Sequence, residues 1–169
     1  MSALKRYAPQ RTFPPYAFLP GRDPHPNRSP EGHSYTTEEE TPPPYMDAED
    51  WQTNEDFLYG VDLYNHGYLW EAHEAWEGVW IVSKHDDSQR ELLQGLIQCS
   101  AAALKLRLEE PRGFAKLSTA GIARIEQVCA EESMPYLGLD LQEFVTLYRE
   151  FAESEPDDSE ERPRLVLLS

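Results

Sequence analysis

Apolar residues return every three or four positions from about residue 54 to about residue 153, the spacing of helices that bury one face. A first helix is predicted over residues 54–66, with Phe57, Val61 and Tyr64 as its stripe. Thr53 or Asn54 can cap it, Glu55 and Asp56 suit its positive end, and Gly67 follows as a left-handed stop. A second helix covers 68–84. Asp86-Asp87-Ser88 then caps a third over 89–109, whose broad apolar face carries Leu92, Leu93, Leu96, Ile97, Ser100, Leu104 and Leu108. Pro111 suits the first turn of a fourth helix, running to 131 through Phe114, Leu117, Ile122, Ile125 and Val128. Asp140 with Glu143 resembles a capping box and opens a fifth, ending near 153. Connections of a few residues between antiparallel helices give an all-α fold, a single compact up-and-down bundle of about five helices.

The flanks differ. Residues 1–46 hold 10 of the 14 prolines and show neither helical nor strand period, so they are expected to be largely disordered or loosely draped. Phe13, Tyr16 and Phe18 are available there for docking on the folded part. Six acids fall in the nine residues 153–161, a solvated tail, and Leu165-Val-Leu-Leu168 reads as a short extended piece packed back on the bundle. The chain therefore divides into a Pro-rich tail (1–46), a helical domain (47–152) and an acidic tail (153–169).

The second helix carries the chemistry, in the run Tyr68-Leu-Trp-Glu-Ala-His-Glu-Ala-Trp-Glu-Gly-Val-Trp80. With His73 set at zero, Glu77 falls at about +40°, Trp80 at about −20°, Leu69 at about −40°, Trp76 at about −60° and Trp70 at about +60°. His73 and Glu77 thus share the arc of the largest apolar side chains and are expected to face inward. The opposite arc holds Glu71, Ala75, Gly78 and Val82, with Glu74 on its border. Burying a charge costs several kcal/mol unless it is paired or coordinated. An inward His–Glu pair needs a partner: each other, another helix, or a metal.

Charge narrows the classes. The formal charge is −16, and residues 1–28 carry five Lys/Arg against one Asp, so the remainder carries −20. Phosphate contacts need a basic surface, which argues against a nucleic-acid partner. No apolar run approaches the roughly 18 residues of a membrane span, and no apolar signal core opens the chain, so no membrane partner and a cytoplasmic location are expected. Cys99 and Cys129 sit in apolar helical patterns without Cys-x-x-Cys spacing and read as reduced thiols. The apolar surplus of the third helix calls for cover, from the N-terminal segment or from a second copy in a homodimer. No small-molecule ligand can be named from these residues.

Several blocks together resemble a known family: Gly60, residues 63–80, Gln94-Gly-Leu-Ile-Gln98, Pro111-Arg-Gly-Phe-Ala115 and, more weakly, Tyr136-Leu-Gly-Leu-Asp140. The chain resembles the bacterial and archaeal family called domain of unknown function 309 (DUF309) over about residues 50–150. That resemblance implies a compact helical fold and a suggested metal-binding role for a His-x-x-x-Glu-x-x-Trp motif, met here by His73, Glu77 and Trp80. The family pattern leads one to expect His at the position of Lys105. A lysine ligand would first have to lose its proton.

Three readings of the site follow. In the first, His73 and Glu77 are two ligands of one divalent ion (Zn, Mn or Fe), with His66, Glu71, Glu74 or Gln98 as further donors. His73-Glu74-Ala-Trp-Glu77 is similar to the His-Glu-x-x-His zinc helix, with Glu74 in the place of the general base, although Glu replaces the second His. In the second, His73–Glu77 is a buried structural pair of a non-enzymatic binding or assembly module, closed by Asn65, Gln98 or a tyrosine hydroxyl. In the third, the pair is a catalytic acid and base without metal. Asn65, Tyr68, Trp76, Trp80, Gln98 and Lys105 are the residues expected to line the site.

Overall fold

Each predicted helix forms. The computed structural model describes residues 3–168, so the first two positions and the last of the expected tails lie outside the described residues. The helices are α1 (Glu55–Asn65), α2 (Leu69–Val82), α3 (Asp87–Arg107), α4 (Pro111–Glu131) and α5 (Leu141–Glu153). Short 3-10 turns at Ala48–Thr53 and Ser159–Glu161 lie outside the predicted periods. Three side chains cap helices by accepting a backbone N–H: Asn54 from Phe57, Asp86 from Gln89 and Asp140 from Glu143. Each satisfies a donor that the first helical turn leaves free. Gly67 ends α1 at φ +88°, a conformation that a Cβ disfavours. No described helix is long and apolar enough to cross a membrane.

The core runs through all five helices. α3 packs most extensively on α4, with α2 and α5 also in the bundle, and buries Leu92, Leu93, Leu96 and Ile97, while Leu104, Leu106 and Leu108 stay half-buried. Trp76 of α2 is fully buried, and its indole N–H donates to the Phe57 carbonyl of α1 at 3.3 Å. Gly60 makes that approach possible, since a Cβ there would sit 2.2 Å from Trp76 Nε1. Tyr148 of α5 reaches across to donate to the Cys99 carbonyl of α3 (2.7 Å). Cys99 is buried, Cys129 is half-buried, and both are free thiols.

The N-terminal segment has no regular helix or strand, as its composition indicates, yet it is docked instead of free. Buried acceptors on α1 and α2 hold it: Asp62, with no exposure, accepts from Tyr7 N–H (2.7 Å), Ala8 N–H (2.8 Å) and Arg6 Nε (2.9 Å). Phe13 stacks on Tyr68, and Phe18 is buried. Farther along, Gln89 donates to the Met46 carbonyl.

The C-terminal segment closes the other side of α1. Leu165 and Leu167 are buried as expected, Tyr64 donates to the Pro163 carbonyl, and Leu167 pairs with Leu139 in an isolated bridge. The acidic stretch before it is mostly exposed, but Glu160 gathers Arg107, Arg162 and Arg164. The two flanks meet where Leu167 N–H donates to the Tyr7 hydroxyl (3.1 Å).

Candidate metal centre

The buried face of α2 is set by Leu69, Ala72, Trp76 and Val79, all at 3 % exposure or less. On the helical wheel this arc centres at about −80° from His73, whereas the sequence led one to expect it at His73 itself. The tryptophans explain the offset. Only Trp76 goes fully inside, while Trp70 and Trp80 lie half-buried on the flank. Trp70 is met edge-on by Phe18, His25 and His33 of the N-terminal segment, and Trp80 carries the Arg90 guanidinium over its ring. His73 and Glu77 accordingly sit on a half-open flank, with side-chain exposures of 34 % and 44 %. The expected buried pair is therefore corrected to a partly solvated one.

Glu74, placed on the outward border by the wheel, joins that pair. His73, Glu74 and Glu77 each offer a ligand atom, and these atoms lie within 4.8 Å of one another. His73 Nε2 is 3.3 Å from Glu77 Oε2. Burial pushes the Glu74 carboxyl above its ordinary value, and Glu77 and Glu40 push the same way, against His73 and an Asn27 hydrogen bond. Positions i, i+1 and i+4 thus present one imidazole and two carboxylates, a donor set that suits a divalent cation.

The matched family enters at this geometry. Residues 57–117 match the family model described as Domain of unknown function (DUF309). The segment so matched is similar to DUF309. It spans most of α1, all of α2 and α3, and the opening of α4. No curated protein and no solved structure matches the chain.

Other expected site residues within the matched stretch are engaged elsewhere. His66, at the end of α1, rests against Phe13, its Nε2 is buried without a partner, and burial pulls its pKa down. Asn65 holds the C-terminal segment at Leu165. Tyr68 stacks on Phe13, and Trp76 is core. Lys105 pairs with Glu110 at the α3–α4 turn (2.5 Å), so its substitution for the expected His does not bear on this cluster. Gln98 is half-buried on α3, and its Oε1 has no partner.

Glu71 reverses the wheel assignment. Set on the outer arc by the sequence, it is 5 % exposed, because the N-terminal segment covers it. Its Oε2 accepts from Phe18 N–H (2.9 Å) and meets His33 Nε2 (2.7 Å), while its Oε1 is buried and unpartnered. His33 and Asp62 escaped sequence reasoning, since their partners lie 38 and about 55 positions away. A signal existed all the same: an Asp amid the apolar stripe of α1 requires donors from outside the helix.

Proposed function

We propose that the DUF309 segment is a divalent-cation-binding unit and that His73, Glu74 and Glu77 hold the ion. The observation that carries this reading is the convergence of three potential ligand atoms within 4.8 Å on one half-exposed helix flank. Half exposure matters because three protein donors leave a coordination position open to water or substrate, as catalytic centres do and closed structural sites do not. Mixed imidazole and carboxylate donors favour Zn, Mn or Fe over Ca or Mg. A bound ion of this kind would supply Lewis acidity and a water of lowered pKa. His73, Glu74 and Glu77 would fix its place on the half-exposed flank of α2.

One feature favours a plainer reading, in which His73–Glu77 is an ordinary i,i+4 surface pair of a non-enzymatic binding module. Its 3.3 Å separation at one-third to one-half exposure is what such pairs show, and they contribute a few tenths of a kcal/mol. Glu74 speaks against it, since a second carboxylate beside Glu77 adds repulsion unless a cation is shared.

Metal content separates the two. Purified protein is expected to hold Zn, Mn or Fe near one equivalent, and His73→Ala and Glu77→Ala to lose it while keeping wild-type helicity. A wild type that stays metal-free after incubation with Zn and Mn, yet melts cooperatively, would rule the site out.

A further inference from the structure

The cation reading deepens when the N-terminal loop beside the cluster is included. Asn27 lies outside the DUF309 segment, yet its Nδ2 donates to Glu74 Oε2 at 3.3 Å. It is carried by a tightly folded loop. Ser29 N–H donates to the His25 carbonyl, Ser34 N–H donates to the Pro26 carbonyl, and the Asn27 and Arg28 N–H groups both point at His25 Nδ1. The Tyr16 hydroxyl donates to the Pro24 carbonyl and accepts from His33 N–H, tying the two ends of the loop.

Besides the contacts of His25 and His33 with Trp70, a buried clasp holds this loop on α2. His33, its side chain 2 % exposed, meets Glu71 Oε2 at 2.7 Å, and its other ring nitrogen is 2.7 Å from the Ser34 hydroxyl. The ring is fixed at both nitrogens. Glu71 stands two and three residues before His73 and Glu74, so the clasp lies within one turn of those two members of the cluster. Downstream, the same segment passes over the helix again, with Pro43 Cδ 3.6 Å from where a Cβ on Gly78 would lie.

We propose that Asn27 belongs to the cation site as a positioning residue for Glu74, held there by the His33–Glu71 clasp. The inference rests on the cation reading. A carboxylate on a half-open flank samples several rotamers, and a donor on one oxygen restricts that freedom before an ion arrives. The Asn27 contact is exposed and long, so it contributes little to folding stability. That makes Asn27→Ala a clean probe of the site.

The test measures Mn2+ and Zn2+ affinity of the full chain by titration calorimetry, with amide hydrogen exchange on the same samples. Asn27→Ala is expected to weaken binding about two- to tenfold, the cost of ordering one side chain, with exchange unchanged throughout. His33→Ala is expected to weaken it similarly and to raise exchange in residues 25–34 while the helices stay protected. If wild type binds and Asn27→Ala binds equally well, this inference falls and the cation site stands. Unchanged exchange of the loop in His33→Ala overturns the clasp. Wild-type protein that binds neither ion overturns both readings together.

Discussion

Asn65 and Leu165, 100 positions apart, pair as two strand residues would: Asn65 Nδ2 donates to the Leu165 carbonyl and Leu165 N–H donates to Asn65 Oδ1, both at 2.8 Å. The buried amide substitutes for a neighbouring strand. Asn65→Ala strands one N–H and one C=O, at about 1–3 kcal/mol per group, so a loss of about 2–6 kcal/mol is expected by urea denaturation. A loss under about 0.5 kcal/mol would mean that water replaces the amide freely.

Asp62 has the same office for the N-terminal segment. Asp62→Ala removes the acceptor of two backbone N–H groups and of Arg6, whose side chain is 23 % exposed and can return to water. The expected cost is about 2–4 kcal/mol, below the full value for a broken buried pair because Arg6 rehydrates. Limited proteolysis should then cut near residues 5–11 well before the helices. Retention of wild-type resistance there would place the anchor elsewhere.

Gly60 admits Trp76. In Gly60→Ala the new methyl overlaps the indole, and helix propensity, which favours Ala, works in the opposite direction by about 1 kcal/mol. Overpacking is expected to win by about 1–3 kcal/mol, lowering the melting temperature and weakening the near-UV dichroism of the aromatic core. An unchanged or raised melting temperature would show that the α1–α2 contact adapts.

Glu160 gives a pH signature. Its partial burial raises its carboxyl pKa, but Arg162, Arg164 and Arg107 outweigh that and hold it below the ordinary 4.5. A depressed folded pKa contributes stability that is present above the unfolded value and lost as pH falls through the folded one. Glu160→Gln should therefore melt below wild type near neutral pH, and the gap should narrow progressively as pH falls below the ordinary 4.5. Because Glu160 is half-exposed, added salt should narrow the gap as well. A gap that persists at low pH would assign the effect to shape instead of charge.

Cation binding should appear as stability. At a free Mn2+ or Zn2+ concentration of about 100 times Kd, the wild type gains about 2.7 kcal/mol, which a chelator reverses. Glu77→Ala should gain far less at the same concentration. Equal gains in both would locate the binding outside the cluster.

The helices were legible because each carries its own period and cap. Asn54, Asp86 and Asp140 sit where a polar residue precedes an apolar stripe, and all three cap as expected. The orientation of α2 was not. Four bulky apolar residues spread over a wide arc leave the inward direction ambiguous, and packing against Gly60 chose Trp76. The same ambiguity put Glu74 outside the site and His73 inside the core. Glu71 was misplaced for another reason: its cover comes from a segment without period, whose docking depends on hydrogen bonds between residues far apart in sequence.

The contact between Tyr7 and Leu167 has a kinetic consequence. Five helices joined by short turns form local contacts, which close within microseconds to milliseconds in simple bundles. Here α1 is complete only when two extended segments, 160 positions apart, meet over it. Each flank must fold back onto α1 from its own end, a non-local step that the helix pairs do not need, so refolding is expected in two kinetic stages, rapid helix assembly followed by slower seating of the flanks. By composition this is a helical bundle; by folding order it ends like a sheet protein.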